Sequence, residues 1–196
     1  MKQSPKLPAE KRRAQLIKAA NKVFTKKGYF GATTEEIART AGLTKGALYF
    51  HFKNKEEIFF AVIRDINENI KTGILGSYEN ESDPEKGIAN LVRVALDSVE
   101  KQEYYTVDFW QQAYRIKRIK NYLEAEHKKI TDFITDYVFK NTKLTRKESQ
   151  SLVDLLHAIH QGVVVRHFGL KSRTNLKKLS RDIIEMAKLY INKNGH

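Results

Sequence analysis

Residues 33–55 read Thr33-Thr34-Glu35-Glu36-Ile37-Ala38-Arg39-Thr40-Ala41-Gly42-Leu43-Thr44-Lys45-Gly46-Ala47-Leu48-Tyr49-Phe50-His51-Phe52-Lys53-Asn54-Lys55. Thr33 followed three residues later by Glu36 is a capping-box pattern: the threonine hydroxyl accepts from the Glu36 amide while the Glu36 side chain reaches back. The helix so begun buries Ile37 and Ala38 and stops at Ala41-Gly42, where glycine tolerates the left-handed geometry of a helix end. Thr44 caps a second short helix, Lys45 to Phe50, and Asn54 caps a longer one that turns Ile58, Phe59, Val62, Ile63 and Ile66 to one face. Two short helices joined by a tight Gly-containing turn, after a preceding helix, have the dimensions of a helix-turn-helix.

The same punctuation continues outward. Pro8 opens a first helix at its N1 position, with Leu16, Ala20, Val23 and Phe24 forming an apolar stripe and Gly28 ending it. The stretch from Thr72 to Asp83, with Gly73, Gly76, Ser77 and Asn80, is the one internal boundary in the pattern. Asp83-Pro84 restarts helix through about Lys101. Further helical patterns run from Tyr104 to about Lys140 with a break near Arg118, from Thr145 to His167 or Phe168, and from about Asn175 to Asn192. No Asn-Gly or Asp-Gly pair joins two alternating runs, so the fold class is all-α.

Charge is unevenly placed. The chain carries 36 basic and 23 acidic residues, a net +13. Residues 1–60 hold 13 Lys or Arg against 5 Asp or Glu, a net +8 in under a third of the length. A field of that sign concentrates phosphates. The chain has no cysteine, which excludes disulfide scaffolds, Cys-ligated zinc and thiol nucleophiles. No apolar run of about 18 residues exists to span a membrane, and the opening residues lack the apolar run of a signal peptide; a cytoplasmic location is expected. Nucleophile elbow, phosphate loop, HExxH and dinucleotide fingerprint are all missing, so no cofactor and no enzymatic activity are expected.

The string Thr34 to Glu56 resembles the DNA-binding signature of the tetracycline-repressor (TetR) family. It meets the pattern T-x-x-x-I-A…A-G-x-[ST]-x-G-x-[LI]-Y-x-[HY]-F-x-x-K at every fixed position. The signature lies at 33–52 and the likeness covers about residues 10–66. It implies a three-helix DNA-binding domain at 1–54 and a ligand-binding and dimerisation domain at 55–196. The expected partners are a palindromic operator in double-stranded DNA, a second copy of the chain and an unknown small-molecule effector. The resemblance places Thr33 and Thr34 at phosphate and Thr44, Lys45, Gly46, Ala47, Tyr49 and His51 on or beside the recognition helix. It places Lys55 on phosphate from the next helix. Leu48 and Phe52 read as inward core residues.

Beyond residue 75 the resemblance is one of architecture. Tyr104, Tyr105, Phe109, Trp110 and Tyr114 crowd one region, a density that suits the wall of an apolar ligand pocket and equally an ordinary core or subunit surface. His157 and Gln161 are polar candidates for the same pocket. His157 and His160 share a helix face, with His127 and His167 elsewhere, but no carboxylates accompany them and no metal site is assigned. Leu152, Leu155, Ile159, Gly162 and Val163, with Leu179, Ile183 and Tyr190, form two stripes suited to a two-fold four-helix interface. The expected function is a ligand-responsive regulator of transcription, more often a repressor in this family. The alternative is a helical enzyme or carrier whose basic head binds acidic surfaces.

Overall fold

Pro8 stands at the N-cap of the first helix, one position before the place its missing amide had suggested. The computed structural model describes residues 8–76, 81, 83–101, 107–169 and 174–195. Its helices are α1 (Ala9–Gly31), α2 (Thr34–Thr40), α3 (Lys45–His51), α4 (Lys55–Gly76), α5 (Pro84–Lys101), α6 (Val107–Arg115), α7 (Lys117–Asn141), α8 (Arg146–Val164) and α9 (Leu176–Asn194). A π-helical turn, Val165–Gly169, continues α8. No strand occurs among the described residues.

They fall into two compact units: residues 1–67 with 104–119, and residues 68–103 with 120–196. In the first, Leu16 of α1, Ile37 of α2, Leu48 of α3 and Ile58 and Ile63 of α4 are all fully buried. Phe59 sits among Phe24, Tyr29 and Phe109, its ring centroid 5.1, 4.8 and 5.0 Å from theirs. The compact head therefore runs past residue 54 into α4 and takes in α6, because the apolar stripe of α4 and Phe109 complete its core. Phe109, expected at a pocket wall, is a core residue of this head at 1% exposure. Gly28, expected to end α1, adopts φ +69° inside it, and one further turn carries Tyr29 into the aromatic cluster.

The second unit is built on α5, α7, α8 and α9. Ile88, Val92, Leu96 and Val99 of α5 join Ile134 and Val138 of α7, Leu152 and Val163 of α8 and Ile183 and Ala187 of α9 in one core. Leu152, Val163 and Ile183, expected on a partner-facing surface, are buried here within the chain itself. Ile159, Leu179 and Tyr190 pack half-buried against the same core. Leu152, Val163 and Ile183 are thus the residues that close this unit's own core.

The α5 start shows how closely the unit is packed. Asp83 caps α5 by accepting from the Glu85 and Lys86 amides at 3.0 and 3.3 Å. Tyr137 of α7 crosses Gly87 and donates its hydroxyl to the Glu81 carbonyl at 3.0 Å. A Cβ at Gly87 would stand 2.6 Å from Tyr137 Cζ and 2.9 Å from Cε1, distances at which the ring must leave. Overpacking of this kind costs about 1–3 kcal/mol. Gly87→Ala is expected to lower the urea midpoint accordingly, and Tyr137→Ala in the same background is expected to recover part of the loss.

Candidate nucleic-acid interface

The geometry of α2 and α3 comes from local hydrogen bonds. Thr33 Oγ1 accepts from the Glu36 amide at 3.2 Å, and Thr44 Oγ1 accepts from the Ala47 amide at 3.1 Å. Between them Gly42 takes φ +66°. Its amide donates to the Arg39 carbonyl at 3.0 Å and the Leu43 amide donates to the Ala38 carbonyl at 2.9 Å, the paired bonds of a Schellman ending. The other half of the expected capping box is not made at Thr33. The Glu36 carboxylate instead accepts from Lys27 Nζ of α1 at 2.7 Å, because a charged donor within reach outcompetes a neutral amide. Gln15 of α1 donates to the Ala41 carbonyl at 2.7 Å and fastens the end of α2 to α1.

Helix α3 buries Leu48 and exposes Lys45, Gly46, Tyr49 and Phe50; Ala47 and His51 are half-buried. Lys45 pairs with Glu35 of α2, and chiefly the hydrogen bond between them, helped by their charges, holds the Glu35 carboxyl below its usual range and the Lys45 ammonium above. Tyr49 shares a hydroxyl–hydroxyl hydrogen bond of 3.1 Å with Thr34, which is itself buried at the start of α2. Thr33 and Thr44 lie exposed at the two helix starts. Lys55, expected to project towards phosphate, donates to the Tyr29 and Ala32 carbonyls at 2.9 and 3.1 Å. It closes the C-terminal end of α1 while its ammonium lies 4.6 Å from the centre of the Tyr29 ring.

One outward side chain of α3 was missed from the sequence. Phe50 is 80% exposed. The signal was present: Leu48 and Phe52 point inward, and a residue two positions from a buried one on a helix lies about 200° away from it.

The pocket candidates divide between the units. Trp110 and the half-exposed Tyr114 are in the head with Phe109, whereas His157 and the exposed Gln161 are in the second unit. Tyr104 and Tyr105 lie outside the described residues. Around His157 the structure gathers groups that the sequence scattered. Its ring centroid is 4.6 Å from that of His127, and its Nδ1 lies 3.4 Å from Thr131 Oγ1. Among the described residues no group of three or more His, Cys, Asp or Glu is arranged to hold a metal ion.

The local sequence of this interface has known counterparts. Residues 16–62 match the family of bacterial regulatory proteins designated tetR. The transcriptional activator FasR of Mycolicibacterium smegmatis is 32% identical over 139 residues, 68% of this chain and 60% of FasR. The regulator TtgR of Pseudomonas putida is 43% identical over 60 residues, 31% of this chain and 29% of TtgR. The matched residues thus span less than two thirds of either relative. The solved structure of the multidrug binding protein EbrR, complexed with malachite green, superposes with a TM-score of 0.66 at 20% identity, covering 92% of this chain and 98% of that one. Fold and motif together define a helix-turn-helix protein of the transcription-regulator class. The chain belongs to the TetR family, whose members are transcriptional regulators and not enzymes.

The His157 environment has a consequence for the second unit. Burial, followed by the proximity of His127 and then His160, lowers its pKa from 6.5 to about 4, against a smaller opposing pull from Asp154. His160 is lowered as well, chiefly by burial. Between those two values the unfolded chain binds the proton that folded His157 refuses, so stability falls as pH drops through that window and is unaffected above it. The expected loss from pH 7 to pH 5 is at most about 2 kcal/mol for this group. Urea midpoints measured at both pH values should fall less in His157→Gln than in the unmodified chain.

Proposed function

We propose that this chain is a ligand-responsive transcription regulator that binds a palindromic operator in double-stranded DNA as a homodimer, and that it is a repressor released by a small apolar or aromatic effector. The observation that carries the reading is the outward face of α3, set by two threonine caps in a stretch, residues 1–60, of net charge +8. A short helix held proud of a basic surface suits the major groove, and the surrounding lysines suit the backbone. On this reading Thr33, Thr34, Lys45, Gly46, Ala47, Tyr49 and His51 form the DNA face, and Lys55 supports it by holding the end of α1. A structural neighbour, EbrR, is complexed with malachite green, and the proposed effector of this chain is of the same small aromatic kind. FasR is named an activator, which makes activation the second reading; transcription in vitro from a promoter bearing the operator distinguishes the two.

Dimerisation is assigned to a different stripe of α8 from the one its core uses. Leu155, Ala158, Gly162 and Val165 recur at helical spacing and are all exposed. Leu155 is 40% and Val165 55% exposed, and nothing lies within 4 Å of a Cβ built at Gly162. Small and apolar groups in such a row let a second helix approach closely, and a two-fold axis pairs the row with itself. Leu155→Asp combined with Val165→Asp should sediment as a folded monomer and lose operator binding. A double variant that remains a dimer would place the interface elsewhere.

DNA binding is tested by fluorescence anisotropy on a duplex selected from random sequence. Affinity should fall about a thousandfold between roughly 50 and 200 mM salt as the entropy gained by releasing counterions shrinks. A flat profile would remove the reading. Glu35→Gln removes the carboxylate that holds Lys45, and should raise affinity while steepening the logarithmic salt slope by about one contact.

A further inference from the structure

The four exposed positions of α3 are not equivalent. Lys45 is engaged with Glu35, and its ammonium lies 5.8 Å from the centre of the Tyr49 ring. Tyr49 is tied back to α2 through Thr34. Gly46 presents bare backbone, and a Cβ there would meet only Thr44 Oγ1 at 3.9 Å, so the head's own packing does not require glycine at this place. Phe50 is the remaining group, more exposed at 80% than any other large hydrophobic side chain among the described residues. Its ring meets that of His51 edge-on, with centroids 5.1 Å apart and planes at 89°. Helical side chains lean towards the N-terminus, so the phenyl of Phe50 overlies the turn that contains Gly46 four residues earlier. The result is an apolar ring on the part of the helix where no Cβ stands in the way of an approaching surface.

Resting on the DNA-binding reading above, we propose that Phe50 is a specificity determinant that reads the C5-methyl group of a thymine in each operator half-site. The argument is one of chemistry. In the major groove the edges of adenine, guanine and cytosine present hydrogen-bond donors and acceptors, and thymine alone presents an apolar group. A phenyl ring can neither donate nor accept in the plane of those edges. Set against an amino or keto group it strips water and returns nothing, which is a penalty; set against a methyl group it buries apolar surface on both sides. Leu48 and Phe52 already fill the interior at this helix, so the outward phenyl is not needed for folding. The occupant is duplex DNA because the ring is set in the part of the chain that holds 13 of its 36 basic residues, between Lys45 and Lys53.

The experiment uses the full chain and duplexes recovered by selection from random-sequence DNA. Each thymine of the recovered half-site is replaced by deoxyuridine, symmetrically in both halves, which removes the methyl and leaves every hydrogen bond. Dissociation constants are measured at one salt concentration. At one position the unmodified chain should lose about fourfold per half-site, about fifteenfold for both, the worth of one buried carbon each. Phe50→Ala should melt at the same temperature, bind the thymine duplex more weakly, and bind the thymine and deoxyuridine duplexes alike. No penalty at any thymine, or the same penalty in Phe50→Ala, overturns the assignment of Phe50 while specific binding stands. Failure to recover any sequence-specific duplex overturns both this inference and the regulator reading beneath it.

Discussion

The left-handed turn at Gly42 is the constraint on which the head depends. With φ at +66°, the chain reverses in one residue, returns two amides to the end of α2 and delivers Thr44 to cap α3. That reversal lets Ile37 and Leu48, eleven residues apart, both reach full burial. A residue with a Cβ would hold the same conformation at a cost of about 1–2 kcal/mol, a sizeable share of what a small helical unit has to hold itself together. The side chains of α3 point where they do because this turn leaves them no other direction.

Two kinds of ion pair occur in the chain, and they differ in what they permit. In the head, Lys45 and Glu35 are each more than half exposed. Pairs of that kind are worth little in water and exchange partners readily, so Lys45 is free to take another anion in place of Glu35. In the second unit Glu126 is 6% exposed and is held by Lys129 at 2.6 Å and Lys71 at 3.5 Å. Its carboxyl lies below the usual range, first through the Lys129 hydrogen bond and against the cost of burial. Removing one partner from a buried charge is expensive, so this cluster is a fixture. The Lys45–Glu35 pair is exchangeable; the charges around Glu126 are structural.

How much of this was legible in the sequence follows from how local each interaction is. Capping is decided within four residues, and Thr33, Thr44, Asn54, Asp83, Thr145 and Asn175 all cap the helices that their patterns announced. A full capping box was read at Thr33, which makes half of it, whereas Thr145 with Glu148 makes both bonds. The difference is Lys27, which approaches Glu36 from another helix and leaves no trace at residues 33–36. The two stripes of α8 were beyond sequence reading for a related reason. Leu152 and Leu155 are both leucines at helical positions, and which one faces the core depends on where α5 and α9 lie. Lys55 shows the same limit: a lysine matching a family position says nothing of the carbonyls of Tyr29 and Ala32 that occupy it. The outward face of α3 was legible because its pattern is contiguous. The companions of His157 were not, because Thr131 and His127 come from a different helix.

The crossing of Tyr137 over Gly87 bears on how such chains can diverge. The tyrosine occupies the volume that any side chain at position 87 would fill, and its hydroxyl holds the carbonyl of Glu81 just ahead of α5. Positions 87 and 137 are therefore a single choice made twice, fifty residues apart. A lineage that gains a side chain at 87 must first shorten the residue at 137, and in doing so releases the segment before α5. Change at 87 alone is blocked, whereas it can follow a change at 137, so the two columns of an alignment should vary in step even where everything around them is free.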